Sequence, residues 1–387
     1  VKNSVNTNRK FDDAKLLSDE YDGVSHVFGI MELANSEQEW KRRSFRALTK
    51  VNTVDQFKQI VNGCTPTLRA LRKDGHVSTN SSFFSWRRRS LDDENLVALV
   101  LIHQNNTLSF AKLADFWGLS ETTLATWYRV ALPVVADFFL SIIEDIDIEK
   151  WKDDAPEDAK RATAEALDLD ADKILLILAD GTYHYVQDSS NFILHYVCRS
   201  GQKNRQLIKS HQYSSAGGSR GFFSLGGGDD DDQKLLKRDL DDKSSILSKL
   251  IAKAHEHDLV PVVVLDGGYW ESSEEAVREA GAVPFVKKNV PDTQRLDGDF
   301  ARKQDAQMVI RSAVERWNNA ASKGTQRLKS ELGFYDLFRL EDMITVSIGL
   351  HVLSARTLVR GDALPKRAFQ VLRDEDAKGL IDDEQNN

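Results

Sequence analysis

Two short runs constrain this chain more than any other part of it. Residues 174–179 read ILLILA and residues 260–265 read VPVVVL, and each leads straight into aspartate and glycine, Asp180-Gly181 and Asp266-Gly267. Aliphatic stretches of this length without polar alternation suit strands covered on both faces. Helical patterns at 245–254, 272–280 and 301–328 supply the cover, and further strands are expected at 193–197 and 282–286. Strands alternating with helices predict an α/β architecture. No internal repeat is visible.

The N-terminal half has a different texture. Phe45, Leu48, Val51, Val54, Phe57 and Ile60 recur at three- and four-residue spacing, which predicts helix. A Ser/Asn/Gly-rich break at 75–82 interrupts the pattern, which resumes at Leu91. A chain of 387 residues can hold two domains, each with its own core. The expected division is a polar arm at 1–38, a helical domain at 39–145, an acidic linker at 146–172, an α/β domain at 173–360 and a tail at 361–387. Residues 217–232 read as a Gly/Asp loop too polar for a core. The apolar runs are too short to cross a bilayer, so no membrane partner is expected, and neither end shows a signal-peptide pattern. Cys64 and Cys198 fall in different expected domains, which argues against a disulfide framework or a cysteine zinc site and for a reducing compartment.

Net charge is −8, which by itself disfavours a polyanionic partner, but the charge is unevenly placed. Between residues 40 and 90, twelve Lys and Arg, including Arg87, Arg88 and Arg89, face only Asp55 and Asp74. That is enough for a phosphate-binding surface. The plainer reading is a solvated helical face. Residues 107–130 then fit a helix-turn-helix at several points. Ala114 is small where the helices would cross, Gly118 suits a positive φ at the turn, and Ser120 is a good N-cap. Leu124 and Trp127 would face the core. Glu121, Thr122, Thr123, Thr126 and Arg129 would face outward, where such a motif enters the major groove. A helical hairpin that reads no DNA satisfies the same pattern.

Asp180 and Asp266 are expected at the carboxyl edge of the sheet, the usual place for ligand chemistry in open α/β sheets. Glu315 lies in the long helical pattern, with Arg311, Asn318 and Asn319 at helical spacing. Three such carboxylates suit Mg²⁺ or Mn²⁺, which prefer oxygen ligands. Two ions about 4 Å apart would serve in-line displacement at a phosphodiester, with Asp180 bridging both, Asp266 on one and Glu315 on the other. Each residue also has a plain alternative. Asp-Gly after a strand is an ordinary turn, and Glu315 can pair with Arg311 on a wet helix face. His184 is expected to alternate to a sheet face, and Trp127 and Trp317 to pack. The four aspartates at 229–232 lack the spacing of a calcium loop and read as a solvated loop. Gly226, Gly227 and Gly228 precede carboxylates, not Lys-Ser/Thr, and so form no phosphate cradle.

The block at 179–191, ADGTYHYVQDSSN, resembles the DGTY-x-Y-I-Q-x-SSN block of a eukaryotic branch of DDE transposases related to PIF/Harbinger elements. LDGGYW at 265–270 is similar to that family's second-aspartate block, and VERWN at 314–318 to its V-E-x-x-N helix. The resemblance spans about 40–330. It implies a ribonuclease-H-like catalytic core, a mixed sheet flanked by helices, preceded by an all-α helix-turn-helix domain. It implies metal-dependent strand cleavage and transfer, with Asp180, Asp266 and Glu315 as the metal-holding triad. DNA at element ends and target, a homo-oligomer, an accessory DNA-binding protein and a nuclear location follow from the same resemblance. Gly267 stands where the family carries Arg, and VCRSGQKNRQ at 197–206 keeps basic character without the family's pattern. A competing reading is a domesticated descendant that binds DNA without cutting. The triad residues favour the enzyme, and the altered blocks around them favour the binder.

Overall fold

The computed structural model describes residues 37–73, 91–106, 108–286, 313–315, 317–322 and 324–360, together with Ile30 and Asn35. Helices come first: α1 (Glu39–Thr49), α2 (Val54–Lys73), α3 (Asp93–Asn105), α4 (Phe110–Trp117) and α5 (Glu121–Ile143). Side-chain caps mark their starts. Asp92, Ser109 and Ser120 each accept a hydrogen bond from a backbone N–H in the first turn of the helix that follows. Gly118 has φ +58 between α4 and α5, where a side chain would be strained, so the turn expected there is present. The helix after it is 23 residues long, far longer than one reading helix needs.

Residues 146–172, expected as a linker, form two helices, α6 (Ile148–Asp153) and α7 (Glu157–Leu167). Ile148 and Trp151 are buried in the main core, and Ala159 and Ala164 in a second one. These apolar positions, sparse among the acids, anchor the segment.

The remainder builds a mixed sheet flanked by helices. Its strands are β1 (Ile174–Tyr185), β2 (Arg199–Ser200), β3 (Arg205–Ser215), β4 (Gly221–Gly226), β5 (Val260–Leu265) and β6 (Val283–Val286). The order is β2-β3-β1-β5-β6, with β4 also paired to β3. β1 runs antiparallel to β3 and parallel to β5, and β5 runs parallel to β6. α8 (Phe192–Cys198) precedes β2, α9 (Asp232–Asp241) and α10 (Ile246–Glu256) precede β5, and α11 (Glu271–Glu279) joins β5 to β6. Beyond residue 313 lie helical residues ending in a π-helical turn, Asn318–Ser322, then α12 (Gln326–Lys329), α13 (Phe334–Leu337) and α14 (Leu340–Arg360). α5 is long and apolar enough by length and composition to cross a membrane. Here it packs along α14, where Gly349 admits Phe139: a Cβ on Gly349 would lie 2.4 Å from the ring.

Strand parity divides the interior in two. Leu175, Ile177, Ala179, Val263 and Leu265 face the main core, which continues into the N-terminal helices. Ile174, Leu176, Leu178, Val262 and Val264 face the second core, with Ala313 and Val314.

Four further expectations change. β1 does not stop at Ala179: β3 pairs with it as far as Tyr185↔Leu207, whereas pairing with β5 ends at Leu178↔Val264. The expected strand at 193–197 is α8, begun by Asn191, whose side chain accepts from the N–H groups of Ile193 and Leu194. The expected loop at 217–232 contains β4, held by Phe222 stacking on Tyr213 at 4.8 Å. The long helix expected to 328 breaks at the π turn, and α12 begins anew at Gln326.

Candidate functional site

Asp180 and Asp266 stand two residues beyond the last registered pair of two parallel neighbours, Leu178↔Val264. Adjacent strands lie about 4.8 Å apart, so the two carboxylates are brought level. Asp180 continues the even-numbered series of β1, which places it toward the face that carries Ala313 and Val314, and Asp266 follows directly on the last residue of β5. Because β5 ends and β1 continues, the sheet has a step here. A cavity of about 460 Å³ opens at that step, lined by Asp180, Asp266, Asp232, Lys209, Tyr269 and Trp270 among others.

The helical residues on this face reach the site through Asn318, whose Nδ2 donates a 2.6 Å hydrogen bond to Asp180 Oδ2. Trp317, beside it, is fully buried and donates through Nε1 to Gln212 Oε1 at 3.4 Å, which pins the segment to β3. Glu315 lies one turn earlier. It is exposed and does not line the cavity. Among the described residues, no three His, Cys, Asp or Glu side chains are close enough to hold one ion together.

Asp232, expected in a solvated loop, is instead the first residue of α9, with Asp231 as its N-cap. Its carboxylate occupies the space where a Cβ on Gly181 would be: Oδ1 is 2.4 Å and Cγ 2.7 Å from that position. Asp232 therefore approaches β1 from the face opposite Asp180 and meets the cavity at the step. Its Oδ1 is buried with no hydrogen-bond partner. Burial holds its carboxyl above the usual range, Lys209 acting in the opposite sense. The sequence signal for Asp232 was its place at a helix start just after a glycine run, which reads equally well as a loop.

Tyr269 forms a wall of the cavity and the end of a buried polar chain. Tyr213 donates to Asp239 Oδ2 at 2.7 Å, so its oxygen accepts from His211 Nδ1, also at 2.7 Å. Burial drives the His211 pKa down to about 3, so the ring is neutral and its Nε2 accepts from the Tyr269 hydroxyl at 2.7 Å. The chain ties the Asp266–Tyr269 turn, closed by Tyr269 N–H to Asp266 O at 3.2 Å, onto β3 and α9. Burial, with Asp232, Asp180 and Asp266 nearby, raises the Tyr269 phenol well above its ordinary value.

His184 alternates to a sheet face as expected and is 1% exposed, and Trp127 and Trp317 are buried. In the helical half, Leu124 and Trp127 face inward, and Thr122, Thr126 and Arg129 are exposed. Thr123 is half-buried, and its hydroxyl lies 2.7 Å from Ser120 Oγ, within the cap. The Thr126 hydroxyl donates back to Thr122 O at 2.9 Å. Part of the basic stretch is neutralised locally. Glu39 pairs with Arg42 at 2.8 Å, Arg46 at 2.8 Å and Arg43 at 3.3 Å, and Lys50 donates to the Gly324 carbonyl. Arg87, Arg88 and Arg89 lie outside the described residues. Comparison with family models, curated proteins and solved structures finds no match to this chain.

Proposed function

We propose that this chain is a DDE-type endonuclease or transposase that cuts and joins DNA with divalent metal ions. The observation that carries the reading is the placement of Asp180 on β1 and of Asp266 directly after the end of the neighbouring parallel strand β5, both lining one cavity, with Asn318 holding Asp180 from a third segment. A mixed sheet flanked by helices is the kind of core a ribonuclease-H-like enzyme requires, and a helix pair with the turn and cap of a helix-turn-helix precedes it.

The donors fit Mg²⁺ or Mn²⁺ in kind, since every acidic group at the step offers oxygen, and Asp232 Oδ1 is a buried acceptor without a partner. Magnesium keeps several waters and needs only one or two carboxylates, so the Asp180–Asp266 pair suffices to begin a site, with Glu315 proposed as the further donor. Bound cations would activate the attacking oxygen and stabilise the leaving one at the phosphodiester. The chain's own part is positional. Asn318 fixes the Asp180 carboxylate, the Tyr269–His211 contact fixes the turn that bears Asp266, and Tyr269 forms part of the cavity wall. DNA is the proposed partner, read in its major groove by Thr122, Thr123, Thr126 and Arg129. A homo-oligomer, an accessory DNA-binding protein and a nuclear location belong to the same reading.

The second reading, a DNA-binding descendant without nuclease activity, draws on the position of Glu315 outside the cavity lining. Nicking of supercoiled DNA in Mg²⁺ or Mn²⁺ separates the two. Cleavage by the wild type that disappears in Asp180→Ala supports the enzyme. Equal cleavage by both proteins removes it, and DNA binding without cleavage leaves the second reading.

A further inference from the structure

Lys209 is a lysine in an unusual place. It lies on β3 directly opposite Tyr183 of β1, 4% exposed, and it lines the cavity at the step. Opposed residues of an antiparallel pair share a face, so Lys209 stands on the same side of the sheet as Gly181 and hence as Asp232. Its ammonium lies 5.5 Å from the centre of the Tyr183 ring, a cation–π contact. Among the described residues it makes no ion pair and no hydrogen bond that would neutralise it.

A buried, unpaired ammonium is unfavourable unless something of opposite charge meets it. Asp232 lines the same cavity, feels the charge of Lys209 and presents a buried oxygen with no hydrogen-bond partner, yet the two form no ion pair. Two opposite charges therefore face one cavity without touching each other. Such an arrangement suits a third body that carries both signs of demand, an anion toward Lys209 and hard cations toward the carboxylates. A phosphodiester next to divalent metal ions has that character. A Lys ammonium acts on phosphate as a point charge, needing no fixed fork geometry, which suits a side chain held by its stem and by an aromatic face.

We infer that Lys209 grips a non-bridging oxygen of the scissile phosphate, from the side of the sheet opposite Asp180. The inference rests on the metal-dependent phosphodiester reading above and adds to it the residue that binds the anionic part of the substrate. In this role Lys209 forms no covalent bond and transfers no proton. Its role is to place the phosphate against the carboxylate-lined wall and to offset charge there.

The test uses the full chain, with Lys209→Met removing the charge at similar volume and Lys209→Arg keeping it. Circular dichroism and thermal unfolding report whether each variant folds, and Lys209→Arg carries the comparison if Lys209→Met does not. Three readouts are expected to move together. Mn²⁺ affinity, measured by calorimetry, rises about fivefold or more in Lys209→Met, because a cation near the carboxylates has been removed. Inorganic phosphate binding in the presence of Mn²⁺ weakens at least about tenfold in Lys209→Met and is kept in Lys209→Arg. Plasmid nicking falls at least about a hundredfold in Lys209→Met and recovers in part in Lys209→Arg. A wild type that nicks and binds Mn²⁺, with a Lys209→Met variant that binds phosphate and nicks as well as it does, overturns the inference and leaves the parent reading standing. A wild type that neither binds Mn²⁺ nor nicks overturns both.

Discussion

Asn318 donates a 2.6 Å hydrogen bond to Asp180 across 138 residues of chain. The contact joins the middle of β1 to the π-helical turn, and so links the first acidic block to the helical segment that carries Glu315. Hydrogen bonds to a charged group contribute about 1.5–3 kcal/mol. Asn318→Ala is expected to lower unfolding free energy in urea by about that amount and to reduce nicking by more than the loss of fold accounts for. Asn318→Asp, which sets a second carboxylate against Asp180, is expected to be the more damaging of the two.

Gly181→Ala tests where Asp232 lies. The new Cβ would meet Asp232 Oδ1 at 2.4 Å, so the carboxylate must shift. Overpacking of this kind costs about 1–3 kcal/mol. Removing the obstacle in a Gly181→Ala, Asp232→Ala double variant is expected to restore most of the loss, giving a coupling of about 1 kcal/mol or more in a double-mutant cycle. Strict additivity would place Asp232 elsewhere.

The close packing of α5 on α14 predicts a second steric effect far from the cavity. Gly349→Ala directs a methyl group to 2.4 Å from the Phe139 ring. Thermal unfolding is expected at a lower temperature, equivalent to about 1–3 kcal/mol, and Phe139→Leu should relieve part of it.

His103 governs one part of the pH dependence of stability. It is 1% exposed, stacked on Phe110 at 4.1 Å, and edge-on to Tyr128 at 4.6 Å. Burial first, then the positive charge of Arg327, lowers its pKa to about 3, and neither ring nitrogen has a hydrogen-bond partner among the described residues. The unfolded value is about 6.5, so between roughly pH 3 and 6.5 the unfolded chain binds a proton that the fold refuses. Stability is therefore full above that window and falls as pH drops through it. Urea titrations at pH 7.5, 6 and 5 are expected to show a shallower loss in His103→Gln than in the wild type, by up to about 1.4 kcal/mol per pH unit.

Much of the α/β half was legible because burial on both faces leaves a plain signature. The VPVVVL run became β5 without change, and the flanking helices α10 and α11 matched their periodicity to within two residues. Gly118 and Ser120 were legible for a different reason: a positive φ and a cap each demand particular residue types. β3 left no such trace. Its sequence, RQLIKSHQYSS, is mostly polar, and its buried residues His211, Gln212 and Tyr213 are satisfied by hydrogen bonds that no local pattern announces. The extent of β1 depended on that missed partner, which is why Asp180 was expected at a strand end and stands inside the strand. Asp232 and Lys209 were missed for the same cause. One is placed by α9 and the other by β3, and their proximity exists only once the sheet has formed. The basic stretch also looked more open than it is, since Glu39, one residue outside the window, pairs with three of its arginines.

Everything proposed for the site requires Asp180 and Asp266 to share bound metal. Mn²⁺ titration of the chain, followed by water-proton relaxation, measures this directly, with Asp180→Asn and Asp266→Asn compared with the wild type after each is shown to fold. Saturable binding by the wild type, weakened at least about tenfold by either substitution alone, is the expected result. Binding that is equal in all three proteins, or absent from the wild type, would contradict the account.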